Sequence, residues 1–286
     1  MKLVRFGEPG RERPGVLVEA AGAAPMILDV RGMSYDLEDY NEDFFRRFGL
    51  ARLPGLLAES RRKLIPADGV RLGPPVGRPG KIICLGKNYA DHAREFDAQV
   101  PKAPILFDKA ATAAIGPRDP ICLPPGADVV DLEAELAVVI GRPASRAPED
   151  RALEYIAGYM ALNDVTDRIA QRADGQWFRS KSPDTFCPMG PWLATPDEVG
   201  DADNLRIESK INGVILQNGN TADMIFKIPF LIAYISAAIT LMPGDVIATG
   251  TPAGIGSARR PPLTLHPGDT VEVAVEKLGR QANPVQ

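Results

Sequence analysis

The chain has 286 residues, 45% of them hydrophobic and 24% charged, with a formal net charge of −4. That composition belongs to a globular protein with a sizeable core. No run of Lys and Arg exceeds a few residues, which argues against nucleic-acid and membrane-surface roles.

Gly and Pro, 27 of each, are spread as turn punctuation and predict many short strands. The three cysteines, Cys84, Cys122 and Cys187, form no CxxC pair. An odd, sparse set argues against a disulfide framework and a zinc site, and for a reducing cytoplasm. Met1 to Gly7 lacks the apolar core of a signal peptide. The most apolar helical run, 228–242, falls short of the roughly 20 residues a membrane span needs and contains Tyr234 and Ser236.

In chain order, 2–6, 15–19 and 26–30 read as short strands, followed by helical patterns over 36–48 and 54–64. A loop rich in Gly and Pro over 73–80 marks a boundary, giving a small N-terminal α/β unit over 1–75 and a larger unit over 76–286. A buried strand is predicted at 81–85, and the following segment is helix-compatible from Tyr89 to Phe96. Further strands are expected at 105–107, 131–141 and 158–162, and short helices at 148–155 and 167–174. A longer helix covers 228–241, and two Pro-Gly-Asp turns, at 243–245 and 267–269, each precede a strand. The pattern is α+β and β-dominated, without repeating βαβ units.

The segment 131–141 carries the first chemical signal. As one strand it turns Asp131, Glu133 and Glu135 to the same face, with neighbours about 6 to 7 Å apart. Such a row is either a solvated acidic edge or part of a cation site, because bare carboxylates at that distance repel. A third ligand could come from Asp164 at a predicted strand end, whereas Asp167 suits a helix N-cap. All-oxygen ligation selects Mg2+, Mn2+ or Ca2+.

Two histidines offer themselves as bases. His266 reads as a turn residue, while His92 stands three residues before Glu95, so the two share a helical face. A carboxylate beside an imidazole orients it and favours its protonated form, which a water-activating base requires; an ordinary surface pair is the alternative. Lys181, between aromatics and a Pro turn, could stabilise an oxyanion. The glycine-rich loop 249–256 fits neither a dinucleotide fingerprint nor a P-loop. It is either a plain turn or a cradle for a substrate carboxylate.

In this order the segments resemble the fumarylacetoacetate hydrolase family. The matching blocks are Gly86-Lys87-Asn88-Tyr89-Ala90-Asp91-His92, Asp131-Leu132-Glu133-Ala134-Glu135-Leu136, Asn163-Asp164-Val165-Thr166-Asp167-Arg168, Lys181, the block opening Gln217-Asn218-Gly219, and Pro243-Gly244-Asp245 through Thr251-Pro252. The resemblance implies a mixed β-sandwich roll, usually a homodimer, with Mg2+ or Mn2+ on Glu133, Glu135 and Asp164. It implies His92 with Glu95 as the water-activating pair on a mobile segment, Lys181 for charge stabilisation, and Gln171, Arg168, Thr251 and Tyr89 as substrate contacts. Arg168 either binds carboxylate or braces the Asp164 loop. Asp131 becomes a supporting or rim residue.

The implied substrates are small 2-oxo or 2,4-dioxo acids, cleaved at a C–C bond by hydrolysis. Fumarylpyruvate, maleylpyruvate and 2,4-diketo-3-deoxy sugar acids are of this kind. The rival readings are an oxaloacetate decarboxylase or tautomerase, a 2-hydroxy-diene-dioate isomerase or decarboxylase, and a non-catalytic metal-stabilised scaffold. One departure stands out: Leu85 occupies a position where the namesake enzyme has a further ligand-type Asp, which favours an acylpyruvase-like branch.

Overall fold

The computed structural model describes residues 1–95 and 100–286. The centre is the strand Ala134–Ile140, buried along its whole length. Its side chains alternate between two cores. Leu136, Val138 and Ile140 enter one, while Ala137 and Val139 enter the other. An apolar run used on both faces belongs in the interior of a sheet, and the strand is flanked antiparallel by Ile156–Asn163 and by Val246–Ala248.

The large sheet runs in the order Leu64–Pro66, Met26–Asp29, Arg13–Val18, Lys2–Phe6, Leu193–Ala194, Ile156–Asn163, Ala134–Ile140, Val246–Ala248, Ile82–Gly86 and Ile105–Lys109. Leu72–Gly73 also pairs with Lys2–Phe6. Hydrogen bonding is continuous from the N-terminal strands into the rest, through Lys2↔Ala194 and Leu3↔Leu193. A second, four-stranded sheet of Val214–Asn220, Arg206–Ile211, Thr270–Val275 and Gly279–Pro284 lies against the first. Ile207, Val273 and Val275 of that sheet share a core with Leu136 and Val138. The architecture is a strand-dominated α+β sandwich, as the sequence predicts, and it does not close into a barrel.

The helical expectations need correction. The pattern over 36–48 yields only Glu42–Arg46, capped by Asn41, whose side chain accepts from Phe44 N. Just before it, Tyr40 is buried and its phenol donates to Gly15 O, a tertiary bond that the helical pattern does not register. The helix expected at 54–64 runs instead over Gly49–Ala58 with Pro54 inside it. The chain then extends to pair Leu64–Pro66 with Met26–Asp29, so sheet completion overrides local propensity. The long helix near the C-terminus stops at Ser236, whose hydroxyl accepts from Ala147 N.

The strand expected at 131–141 is interrupted. Val130–Asp131 pairs with Thr166–Asp167, and regular pairing resumes at Ala134. Three successive amides at the break are taken by side chains: Leu132 N by Asp131 Oδ1, Glu133 N by Asn163 Oδ1, and Ala134 N by Gln217 Oε1. Buried amides need such acceptors when the ladder lapses. All three cysteines are free, and among the described residues no helix is long and apolar enough to cross a membrane.

Candidate active site

The interruption brings three carboxylates together. Glu133 lies in the break, Glu135 on the strand that follows, and Asp164 directly after Ile156–Asn163, with Asp164 N donating to Glu133 O at 2.9 Å. One ligand oxygen from each lies within 4.8 Å of the others, and all three side chains are buried.

Cations surround this cluster. Lys181 Nζ bridges Glu133 Oε2 at 2.8 Å and Asp164 Oδ2 at 2.6 Å. Lys109 Nζ takes Asp164 Oδ1 at 2.7 Å. Arg168 binds Glu133 Oε1 at 2.6 Å and Asp131 Oδ2 at 3.1 Å. Among the described residues, four carboxylates thus face three cationic side chains.

The imbalance falls on Glu135. Burial, then the charges of Asp164 and Glu133, push its carboxyl well above the usual range. Glu133 goes the other way: burial opposes ionisation, but Lys181 and Arg168 outweigh it and hold the group well below that range. Lys181 is held charged by Asp164 and Glu133 against the effect of burial. A cluster that cannot fully ionise unaided, built from oxygen donors alone, fits a hard divalent cation.

The predicted histidine–carboxylate pair stands beside it. His92 and Glu95 lie on the short helix Ala90–Glu95, with Nδ1 3.2 Å from Glu95 Oε2. Glu95 Oε1 accepts from Gly254 N at 2.7 Å, tying the helix to the glycine-rich loop. That loop also reaches the carboxylates, because Gly250 N donates to Glu135 Oε2 at 2.8 Å. Gly250 has φ of 97°, and a Cβ there would stand 2.8 Å from Asn88 Cβ, so only glycine suits the position.

Glu133, Lys181, His92, Arg168, Gln171 and Thr251 all line one cavity of about 330 Å3. Its other walls are Leu85, Gly86, Lys87, Phe107, Arg172 and Trp177. A larger groove of about 1280 Å3 lies elsewhere, lined by charged side chains that pair with one another, such as Arg5 with Asp39 and Arg71 with Asp119. None of the predicted site residues borders it.

Most predicted residues therefore converge. Thr251 is there, but its hydroxyl donates to Ala134 O and accepts from Gln217 Nε2. Arg168 grips Asp131, Glu133 and the Gln171 Oε1 atom. Asp131 is fully buried and supports Arg168, also accepting from Gly256 N and Ser257 N, so it is not a rim residue. Asp167 caps the helix Arg168–Asp174, as expected. Tyr89 is set apart: it is buried in the core and is not among the cavity walls. His266 is exposed in its turn. Residues 96–99, where the expected helix continues and the chain follows Glu95, lie outside the described residues.

Two supporting residues escaped the sequence reading. Lys109 ends the strand Ile105–Lys109, where an isolated lysine carries no signal of its own. Gln217 joins the second sheet to the carboxylate strand, accepting from Ala134 N and Ser209 Oγ and donating to Thr251 Oγ1 and Pro252 O. Its block is among those that carry the family resemblance, but nothing in its local sequence assigns it a task.

Comparison with known proteins gives a consistent picture. The profile of the fumarylacetoacetate (FAA) hydrolase C-terminal domain matches residues 81–286. A 2,4-didehydro-3-deoxy-L-rhamnonate hydrolase from Sphingomonas sp. (strain SKA58) is 42% identical over 287 residues, 100% of this chain and 96% of the relative. A mitochondrial oxaloacetate tautomerase from Rattus norvegicus is 41% identical, covering 100% of this chain and 91% of the relative. Among solved structures, the fumarylacetoacetate hydrolase of Exiguobacterium antarcticum superposes with a TM-score of 0.84 at 37% identity, covering 100% of this chain and 99% of that one.

Proposed function

The chain belongs to the fumarylacetoacetate hydrolase family, and from that premise we propose that it is a divalent-metal-dependent hydrolase that cleaves a C–C bond in 2,4-dioxo acids. The observation that carries the reading is that a base, His92, a cluster carboxylate, Glu133, and an ammonium, Lys181, open onto one cavity. Glu133, Glu135 and Asp164 are the groups that would hold Mg2+ or Mn2+. A cation held there would supply Lewis acidity toward the substrate's oxygens.

The chain's own groups do the rest. With Nδ1–H directed at Glu95 Oε2, Nε2 is the nitrogen that takes a proton from water. The negative charge of Glu95 stabilises the resulting imidazolium. The water oxygen bonds to the distal carbonyl carbon, the adjacent C–C bond breaks, and its electron pair remains on the departing 2-oxo acid fragment as an enolate. Protonation of that carbon yields one 2-oxo acid and one simple carboxylic acid. Lys181 spends two N–H donors on Glu133 and Asp164, leaving the third for the developing enolate oxygen.

The rat relative supports a second reading, tautomerisation of a 2-oxo acid, which needs proton transfer but no water. Turnover of an acylpyruvate panel beside oxaloacetate, with Mg2+ and with His92→Ala as control, separates them. Loss of cleavage with retained oxaloacetate turnover assigns His92 to water activation. No turnover of any 2-oxo acid by metal-loaded protein rejects the proposal. The same reading takes the working form to be a cytoplasmic homodimer, for which sedimentation velocity checks the mass.

A further inference from the structure

We propose that Asn88 is a positioning residue for His92: its amide pins the root of the helix Ala90–Glu95 to the loop that also holds Glu135, so that the base and the carboxylate cluster keep one relative geometry. The inference rests on the hydrolase reading above for the task of His92.

The chain passes from the strand Ile82–Gly86 into that helix through Lys87, Asn88 and Tyr89. Lys87 takes φ of 55°, a left-handed turn uncommon for a residue with a side chain. After so tight a turn, the direction of the helix is set by what grips the next residue. That residue, Asn88, is 1% exposed. Its Nδ2 donates to Thr249 O at 2.8 Å and to Phe226 O at 3.1 Å, and its Oδ1 accepts from Phe226 N at 2.8 Å. One amide thus uses both donors and its acceptor on segments 138 and 161 residues away. The main chain adds to the grip, because Ile225 N donates to Asn88 O at 2.8 Å.

Both anchor points are held independently of Asn88. Thr249 reaches Leu136 O through its amide at 3.0 Å and its hydroxyl at 2.8 Å, and Leu136 follows Glu135 in the carboxylate strand. Phe226 stacks on Phe230, centroids 5.5 Å apart, at the start of the helix Ile228–Ser236. Anchors that are themselves fixed let a side chain transmit position.

At the far end of the short helix, Glu95 Oε1 accepts from Gly254 N. The helix that carries the base therefore meets the loop 249–256 at its root and at its tip, while Gly250 N of the same loop holds Glu135 Oε2. Deleting the Asn88 amide leaves the tip contact and frees the root to shift. A displacement of about 1 Å in a reacting group can cost about 10²-fold in rate.

The chain has two histidines, and His266 is exposed in its own turn. Imidazole 15N spectra of the full-length protein therefore give one set of signals for His92 and one internal control. Asn88→Ala should lose the Nδ1–H signal that Glu95 secures, with His266 unmoved. On an acylpyruvate kcat should fall about 10²-fold while KM stays within about threefold. Mn2+ affinity should hold, because Thr249 and Gly250 keep their bonds to Leu136 and Glu135. Tyr40→Phe, which deletes a buried bond to Gly15 O in the N-terminal unit, controls for lost stability alone and should keep the wild-type His92 signals and kcat. Should Asn88→Ala fail to fold, Asn88→Asp serves instead, since it keeps the size and the acceptor for Phe226 N. Unmoved His92 signals, moved signals with wild-type kcat, or an equal fall of kcat in Tyr40→Phe would each overturn the positioning role. If wild type cleaves no acylpyruvate but the His92 signals still move in Asn88→Ala, the positioning stands and only the hydrolase reading falls.

Discussion

Lys109 Nζ donates to Asp164 Oδ1 at 2.7 Å, and both side chains are fully buried. With Lys181 on Oδ2, Asp164 is clamped from both sides, between the strand Ile105–Lys109 and the helix Phe178–Lys181. Breaking a buried pair by removing one partner strands the other charge. Lys109→Met is therefore expected to cost about 3–5 kcal/mol in the metal-free protein. Urea unfolding measures this, and Mn2+ should recover part of the loss by replacing the missing positive charge. A cost below about 1 kcal/mol would mean that Lys181 alone suffices for Asp164.

His92 pairs with Glu95 and lines the cavity, and it is not one of the three groups, all carboxylates, that would hold a cation. Its removal should therefore damage turnover and spare metal binding. For His92→Ala, kcat on an acylpyruvate is expected to fall about 10²–10⁴-fold, the usual worth of a positioned base. Glu95→Gln should fall less, because the imidazole itself remains. The charge is lost, however, and the single carbonyl oxygen of Gln can serve only one of the two N–H groups that Glu95 accepts, His92 Nδ1–H and Gly254 N–H. Calorimetry should find Mn2+ affinity unchanged in both. Wild-type turnover in His92→Ala would remove the base from the mechanism.

How far the site could be read in advance depended on where each partner lies. Glu133, Glu135 and Asp164 stood out as candidates because acids interrupting apolar strands demand an explanation, and His92 with Glu95 because their spacing is local. The residues alone left a solvated acidic edge and an ordinary surface pair open, and only the family resemblance gave the set its roles. The break at Leu132–Glu133 was not legible. Its amides are satisfied partly by Asn163 and Gln217, which only the folded sheet brings near. Uninterrupted alternation therefore put Asp131 on the face of Glu133 and Glu135, whereas it turns to Arg168 and the loop amides of Gly256 and Ser257. Lys109 was invisible for a similar reason, since an edge strand ending in a solvated lysine has the same local pattern. The helices at 36–48 and 54–64 were misplaced because Tyr40 and Leu64–Pro66 answer to the sheet.

Gln217 is fully buried and serves four partners: Ala134 N, Ser209 Oγ, Thr251 Oγ1 and Pro252 O. Gln217→Leu keeps a similar volume but leaves the Ala134 amide and the Pro252 carbonyl unpaired in the interior. Each such group costs about 1–3 kcal/mol, so a loss of at least about 2 kcal/mol is expected. The carboxylate strand should also loosen where Ala134 adjoins Glu133 and Glu135, weakening Mn2+ binding. Unfolding by urea and calorimetry on one variant test both effects. Unchanged stability would show that water replaces the amide without cost.

Glu135 gives the pH dependence its sign. Burial, Asp164 and Glu133 raise its pKa, so in the metal-free protein it stays protonated over a range where an ordinary glutamate is ionised. By linkage, its contribution to the metal-free fold is complete below the ordinary glutamate range and is lost as pH rises through the raised value. A bound cation reverses the preference, because ligation requires the carboxylate and expels the proton. Mn2+ affinity should therefore rise with pH until Glu135 ionises unaided, and the stabilisation by Mn2+ should rise with it. Glu133, already held ionised by Lys181 and Arg168, contributes no such slope. Calorimetry in buffers of different ionisation enthalpy should count about one proton released per cation in wild type and none in Glu135→Gln, which should also bind more weakly. Absence of proton release in wild type, with Mn2+ bound, would remove Glu135 from the ligand set.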